Sequence, residues 1–209
     1  MATCPQRWPR PKVRPTERTI EEIQMATEPL EQAIASTRTV LAGVSKDQLG
    51  DDTPCAQWKV SDLINHIVGA QSFFEAGTKG EQPAAGETDF AATDFVAAFD
   101  DSAHRCVAAF SADGVMEKML TLPFGQMPGA AFVGLAATDT FTHGWDLAKA
   151  TGQTTDLAPE LAAQLLAGAR MAIQPSFRNP EGNPFGPEQP APAGACNADQ
   201  LAAFLGRRA

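Results

Sequence analysis

Three histidines, at positions 66, 104 and 143, carry most of the chemical information in this 209-residue chain. Asp139 and His143 are four residues apart, so on a helix both side chains lie on one face, a turn from each other. That spacing suits two ligands of one metal ion. His66 falls on the apolar stripe of an earlier helix, three residues after Leu63 and four before Ala70, and is expected to point toward the same interior. In helical bundles, metal sites form where facing helices each send ligands inward. A His66, Asp139 and His143 set supplies three protein ligands and leaves a fourth position for water or substrate, the arrangement of catalytic rather than structural zinc. The competing reading is that these are hydrogen-bonded core histidines, and spacing alone leaves both open. His104 is shifted off its helix's apolar stripe and reads as a surface residue. Asp146, three residues beyond His143, either orients a ligand imidazole or pairs with solvent and helix neighbours. Trp58 and Trp145 read as packing anchors.

Helices must position these groups. Residues 1–15, with four basic residues and four prolines, are expected to form a disordered arm before a single domain over residues 16–209. A short helix over Thr16 to Ala26 is followed by a clearer one, capped by Thr27 with Pro29 in its first turn and running to about Gly43. Apolar spacing predicts further helices from Ser61 to Ala76, Thr93 to Phe110, Gly129 to Thr151 and Pro159 to Ile173. Gly77 to Thr88 reads as a surface loop, and Met119 to Pro128 as a short extended excursion. Residues 175–195, with six prolines and three glycines, read as an irregular strap, after which Asn197 caps a last short helix to Leu205. The pattern predicts an all-α fold, an antiparallel bundle of about four main helices with extra short helices.

Composition narrows the function. Hydrophobic residues make up 44% and charged residues 20%, enough for a folded core without disulfide staples. Sixteen Lys and Arg against 25 Asp and Glu give a formal charge of -9, which disfavours nucleic acid and anionic lipid as partners. No stretch approaches the ~20 apolar residues of a membrane span, and a cytoplasmic protein is expected. The four cysteines, at 4, 55, 106 and 196, form no CxxC pair and read as free thiols; Cys55 is read as a packing residue, with approach to the metal cavity as the alternative.

Several motifs occur in order: Thr53-Pro-Cys-Ala-Gln-Trp-Lys-Val, Asp62-Leu-Ile-Asn-His66, Leu122-Pro-Phe-Gly-Gln-Met-Pro-Gly, Thr142-His-Gly-Trp-Asp-Leu-Ala-Lys-Ala-Thr-Gly, Phe185-Gly-Pro-Glu and Leu201-Ala-Ala-Phe-Leu-Gly-Arg. Over residues 28 to 207 this series resembles the DinB/YfiT-like metal-binding superfamily, in the actinobacterial branch related to the N-terminal domain of mycothiol-dependent maleylpyruvate isomerase. The resemblance implies a four-helix bundle holding one divalent metal through a histidine on the second helix and an acid-xxx-His pair on a later one. On this chain those are His66, Asp139 and His143. Asp139 is one methylene shorter than the family's commoner Glu, and zinc is the expected ion. The ending Gly206-Arg-Arg-Ala departs from the family's Gly-Arg-Asp-Pro and gives no support to anion binding by Arg207.

The resemblance further implies a low-molecular-weight thiol such as mycothiol as cofactor, an electrophilic small molecule as substrate, and thiol transfer or thiol-dependent isomerisation as the reaction. No catalytic residue beyond the ligands is assigned. A non-catalytic metal sensor or scaffold, and hydrolysis by a metal-bound water, are the alternatives. A homodimer is compatible with all of these.

Overall fold

The computed structural model describes residues 19–82, 88–179 and 185–208; the expected arm of residues 1–15 lies outside them. The first helix, α1, spans Ile20–Ala42 without interruption. It starts at a capping box in which the Thr19 hydroxyl accepts from Glu22 N (3.3 Å) and the Glu22 carboxylate accepts from Thr19 N (2.8 Å). The expected break and cap at Thr27 are therefore absent. Thr27 sits in mid-helix and donates to the Glu31 carboxylate at 2.8 Å, and Pro29 lies inside the helix. A proline there forfeits one backbone bond, but Leu30, Ala33, Val40 and Leu41 on the same helix are all buried in the core, and that burial holds the helix continuous.

The other elements are α2 (Val60–Lys79), α3 (Phe95–Phe110), a hairpin of β1 (Met119–Leu122) and β2 (Gly125–Pro128), α4 (Gly129–Ala150), α5 (Pro159–Ala172) and α6 (Asn197–Phe204). The excursion expected at residues 119–128 is thus an antiparallel hairpin, with Leu120 opposite Met127 and Leu122 opposite Gly125. Leu120 and Leu122 face the core while Phe124, in the turn, stays 58% exposed. The last helix is capped by Cys196 rather than Asn197: the Cys196 sulfur accepts from Asp199 N at 3.4 Å.

Helices α1 to α4 form the bundle, with α1 packed mainly on α4 and α2 on α3. Contacts between α2 and α4 fix their relative direction. His66 meets Asp139, and farther along α2 Gly77 abuts the Phe132 ring, so the two helices run antiparallel. Buried Gln71, between these points, donates to Thr140 Oγ1 at 2.9 Å, locking the register one residue from Asp139. Helices α1 and α4 run in the same direction, since Thr37 donates to Thr140 O at 2.8 Å and Gln153, beyond the end of α4, donates to Val40 O at 3.0 Å. Their close approach requires Gly144: a Cβ there would stand 2.3 Å from Thr37 Oγ1. Trp145, Phe99, Phe110, Phe132 and Phe141 fill the centre.

Candidate functional site

The antiparallel pairing of α2 and α4 brings the three candidate ligands together. Asp139 Oδ1 stands 3.6 Å from His143 Nε2, and Asp139 Oδ2 stands 3.9 Å from His66 Nε2. One donor atom from each residue lies within 4.8 Å of the other two. Tetrahedral zinc with bonds of about 2.0–2.1 Å sets its donors roughly 3.3 Å apart, so a small inward movement accommodates an ion.

Chemistry and distance agree on this fit. His66 Nε2 is sealed from solvent and has no hydrogen-bond partner, a costly state for a buried polar atom unless something binds it. Burial, followed by the charge of His143, lowers the His66 pKa to about 4, so the ring is neutral at neutral pH and has one nitrogen lone pair to offer. The opposite holds at His143. Burial is the largest single influence and resists its protonation, but the charge of Asp139, the hydrogen bonds with Asp146 and Cys55 and the charge of Asp146 together outweigh it, and the pKa rises to about 10. The two carboxylates around one imidazole call for positive charge, which a divalent cation also supplies.

Asp146 is fully buried and accepts a hydrogen bond from His143 Nδ1 at 3.0 Å. Burial pushes its carboxyl up, but the Arg207 guanidinium and the His143 contact overcome this and hold it at about 2. As an ionised acceptor it makes Nδ1 the donor, which leaves Nε2 facing Asp139 and His66. Of the two roles open to Asp146 in the sequence, orienting the imidazole is the one its position suits. Arg207 in turn grips Asp146 with Nε and Nη2, at 3.3 and 3.1 Å. It arrives there because Gly206 adopts φ +99°, with the Gly186 backbone packed where a Cβ would be. Arg207 thus binds a carboxylate of this chain, a role the sequence did not reveal.

Two residues read as packing groups also border the site. The Cys55 thiol donates to Asp146 Oδ2 at 3.1 Å and lies 3.9 Å from His143 Nδ1. The Trp58 ring tilts across both imidazoles, its centroid 4.7 Å from His66 and 5.8 Å from His143. Their loop is fixed by Thr53, whose hydroxyl donates to Trp58 O at 2.9 Å and accepts from Cys55 N at 3.1 Å. The Thr-Pro-Cys motif was the only sequence signal for this placement. Cys55, His143 and Asp146 make a second cluster of donor atoms, but Asp146 is already engaged by His143, Cys55 and Arg207. Trp145 and His104 follow expectation: the first is buried, with its Nε1 donating to Asp199 at 2.9 Å, and the second is exposed.

Residues 30–148 match the model of the mycothiol maleylpyruvate isomerase N-terminal domain. The chain belongs to this family. It is 47% identical over 168 residues to uncharacterized proteins from two strains of Mycobacterium tuberculosis, CDC 1551/Oshkosh and ATCC 25618/H37Rv, covering 80% of this chain and 90% of each relative. Among solved structures, the mycothiol-dependent maleylpyruvate isomerase matches with a TM-score of 0.54 at 16% identity, over 72% of this chain and 70% of that one. A histidine-to-alanine mutant of the same isomerase matches with a TM-score of 0.54 at 15% identity, with the same coverage. At such identities these structures establish the shared helical fold of the maleylpyruvate isomerase N-terminal domain family. Among the described residues, no helix is long and apolar enough to cross a membrane.

Proposed function

We propose that this chain is a cytoplasmic zinc-binding protein that uses a low-molecular-weight thiol such as mycothiol to transfer sulfur to, or isomerise, an electrophilic small molecule. The observation that carries the reading is the buried, unpartnered His66 Nε2 facing Asp139 and His143 across two helices, in a chain of the maleylpyruvate isomerase N-terminal domain family. His66 Nε2, an Asp139 oxygen and His143 Nε2 would hold the ion.

A divalent ion held there would lower the pKa of a bound thiol and so supply thiolate at neutral pH. The chain's residues set the conditions for its use. Asp146 holds the proton on His143 Nδ1 and so keeps Nε2 directed inward. Arg207 keeps Asp146 ionised and in place. Trp58 packs on both imidazoles and limits water on that side. A cleft of about 470 Å³ lined in part by His66 and Asp139 gives an electrophile access.

In transfer, a new sulfur–carbon bond forms as the electrophile's π-bond opens, and a proton completes the adduct. In isomerisation, the same addition is followed by rotation and loss of the sulfur, which regenerates the thiol. The test is consumption of mycothiol, bacillithiol or glutathione with a panel of electrophiles, before and after chelation and zinc replacement. Saturable turnover that chelator abolishes and zinc restores is expected. Chelator-induced unfolding with no thiol turnover for any pair would replace this reading with that of a metal-held scaffold.

A further inference from the structure

The cleft beside the candidate ligands is mainly apolar. His66 and Asp139 line it with Gly69, Phe73, Phe124 and Leu135 among others, and among the described residues no Lys or Arg lines it. An anion with two separated charges would therefore find no side-chain cation: one charge could face the ion held by His66, Asp139 and His143, but the other would lie against phenyl and leucine side chains. Burying a charge without a partner is expensive, whereas an uncharged apolar body gains from the same walls.

Two further features point to occupancy. Gly69 sits in the middle of α2, where glycine destabilises a helix relative to alanine. No packing contact explains it, since a Cβ at that position would meet nothing within 4 Å. What its missing side chain leaves free is the cleft. Phe124, in the hairpin turn, holds a ring 6.4 Å from that of Phe73 while remaining 58% exposed. More than half of its surface is thus left for another apolar body to cover.

We propose that the electrophile of this chain is an uncharged, mainly aromatic or aliphatic small molecule, bound along Phe73, Phe124 and Leu135 with its reacting carbon toward His66 and Asp139. This substrate class rests on the thiol-dependent reading, but its binding can be measured without turnover.

The experiment is calorimetric titration of the full chain, zinc-loaded and zinc-free, with acetophenone as an unreactive neutral aromatic probe and maleate as a small dianion. Acetophenone is expected to bind both forms and to bind more tightly than maleate. Gly69→Leu, which fills the cleft, is expected to weaken acetophenone by at least about tenfold, and Phe124→Ala by about threefold to tenfold, with zinc content unchanged in both. Phe124 is exposed, so that variant keeps the test decisive even where Gly69→Leu folds poorly. Tighter binding of maleate, or acetophenone affinity unaltered in the folded variants, overturns the proposal. Absence of thiol turnover with acetophenone binding intact would defeat the thiol-dependent reading alone, and the binding results would still decide the ligand class.

Discussion

Asp146 Oδ2 lies 3.0 Å from His143 Nδ1, on the imidazole edge opposite the one facing Asp139. This contact joins the C-terminal segment to the candidate ligands, because Arg207 grips the same carboxylate. Asp146→Asn retains the shape but removes the charge that fixes the ring. Zinc affinity, measured against a competing chelator, is expected to fall about 10–100-fold. Arg207→Ala leaves a buried carboxylate without its guanidinium and is expected to cost about 3–5 kcal/mol in urea unfolding. Wild-type zinc affinity in Asp146→Asn would show that the contact does not tune the site.

Metal content gives a more direct test. Elemental analysis of the purified chain is expected to find about one zinc, or another divalent first-row ion, per molecule, and His143→Ala is expected to lose most of it because two remaining ligands bind weakly. His66→Ala should behave alike, since it removes the unpartnered Nε2. A wild-type chain that takes up no metal even on reconstitution would rule the site out.

The readable part of this site was the part written in local periodicity. Asp139 and His143 share a helix face by spacing alone, and the stripe through Leu63, Ile67 and Ala70 turned His66 inward. The start of α1 was harder to read: Thr27 followed by Pro29 looks like a helix beginning, yet the Thr19 and Glu22 box eight residues earlier starts the helix, and core burial of Leu30 and Ala33 carries it through the proline. Cys55, Trp58 and Arg207 escaped for a different reason. They reach the site from irregular segments, Arg207 across 61 residues from Asp146, through turns set by the Thr53 hydroxyl and by the positive φ of Gly206. No periodic pattern records such paths.

Two mid-helix glycines should respond in opposite ways to the same substitution. Gly144→Ala drives a Cβ to within 2.3 Å of Thr37 Oγ1 and 3.1 Å of Thr37 Cβ, at the seam of α1 and α4. That crowding is expected to destabilise the chain by about 1–3 kcal/mol. Gly69→Ala meets no neighbour within 4 Å and is expected to stabilise it by about 0.5–1 kcal/mol through helix propensity. Urea midpoints of the two variants, read by circular dichroism, decide the matter; a shift of the same sign in both would refute the assigned packing.

Cys106 is fully buried in α3, and burial, with a smaller push from the charge of Glu75, raises its thiol from 9.0 to about 12. The folded chain therefore holds it neutral where the unfolded chain would ionise. Because the folded value is the higher one, the stability it contributes is complete below pH 9 and is lost as pH climbs toward 12. Cys106→Ala removes that titration and leaves a small void, so the variant is expected to be about 1 kcal/mol less stable at pH 7. Its stability should then fall less steeply than that of the wild type above pH 9, while lysines and other groups common to both chains cancel in the comparison. Unfolding midpoints in urea, taken in steps from pH 7 to pH 11, supply the two curves. Parallel curves across the alkaline range would mean that the thiol ionises as readily folded as unfolded, contrary to its burial.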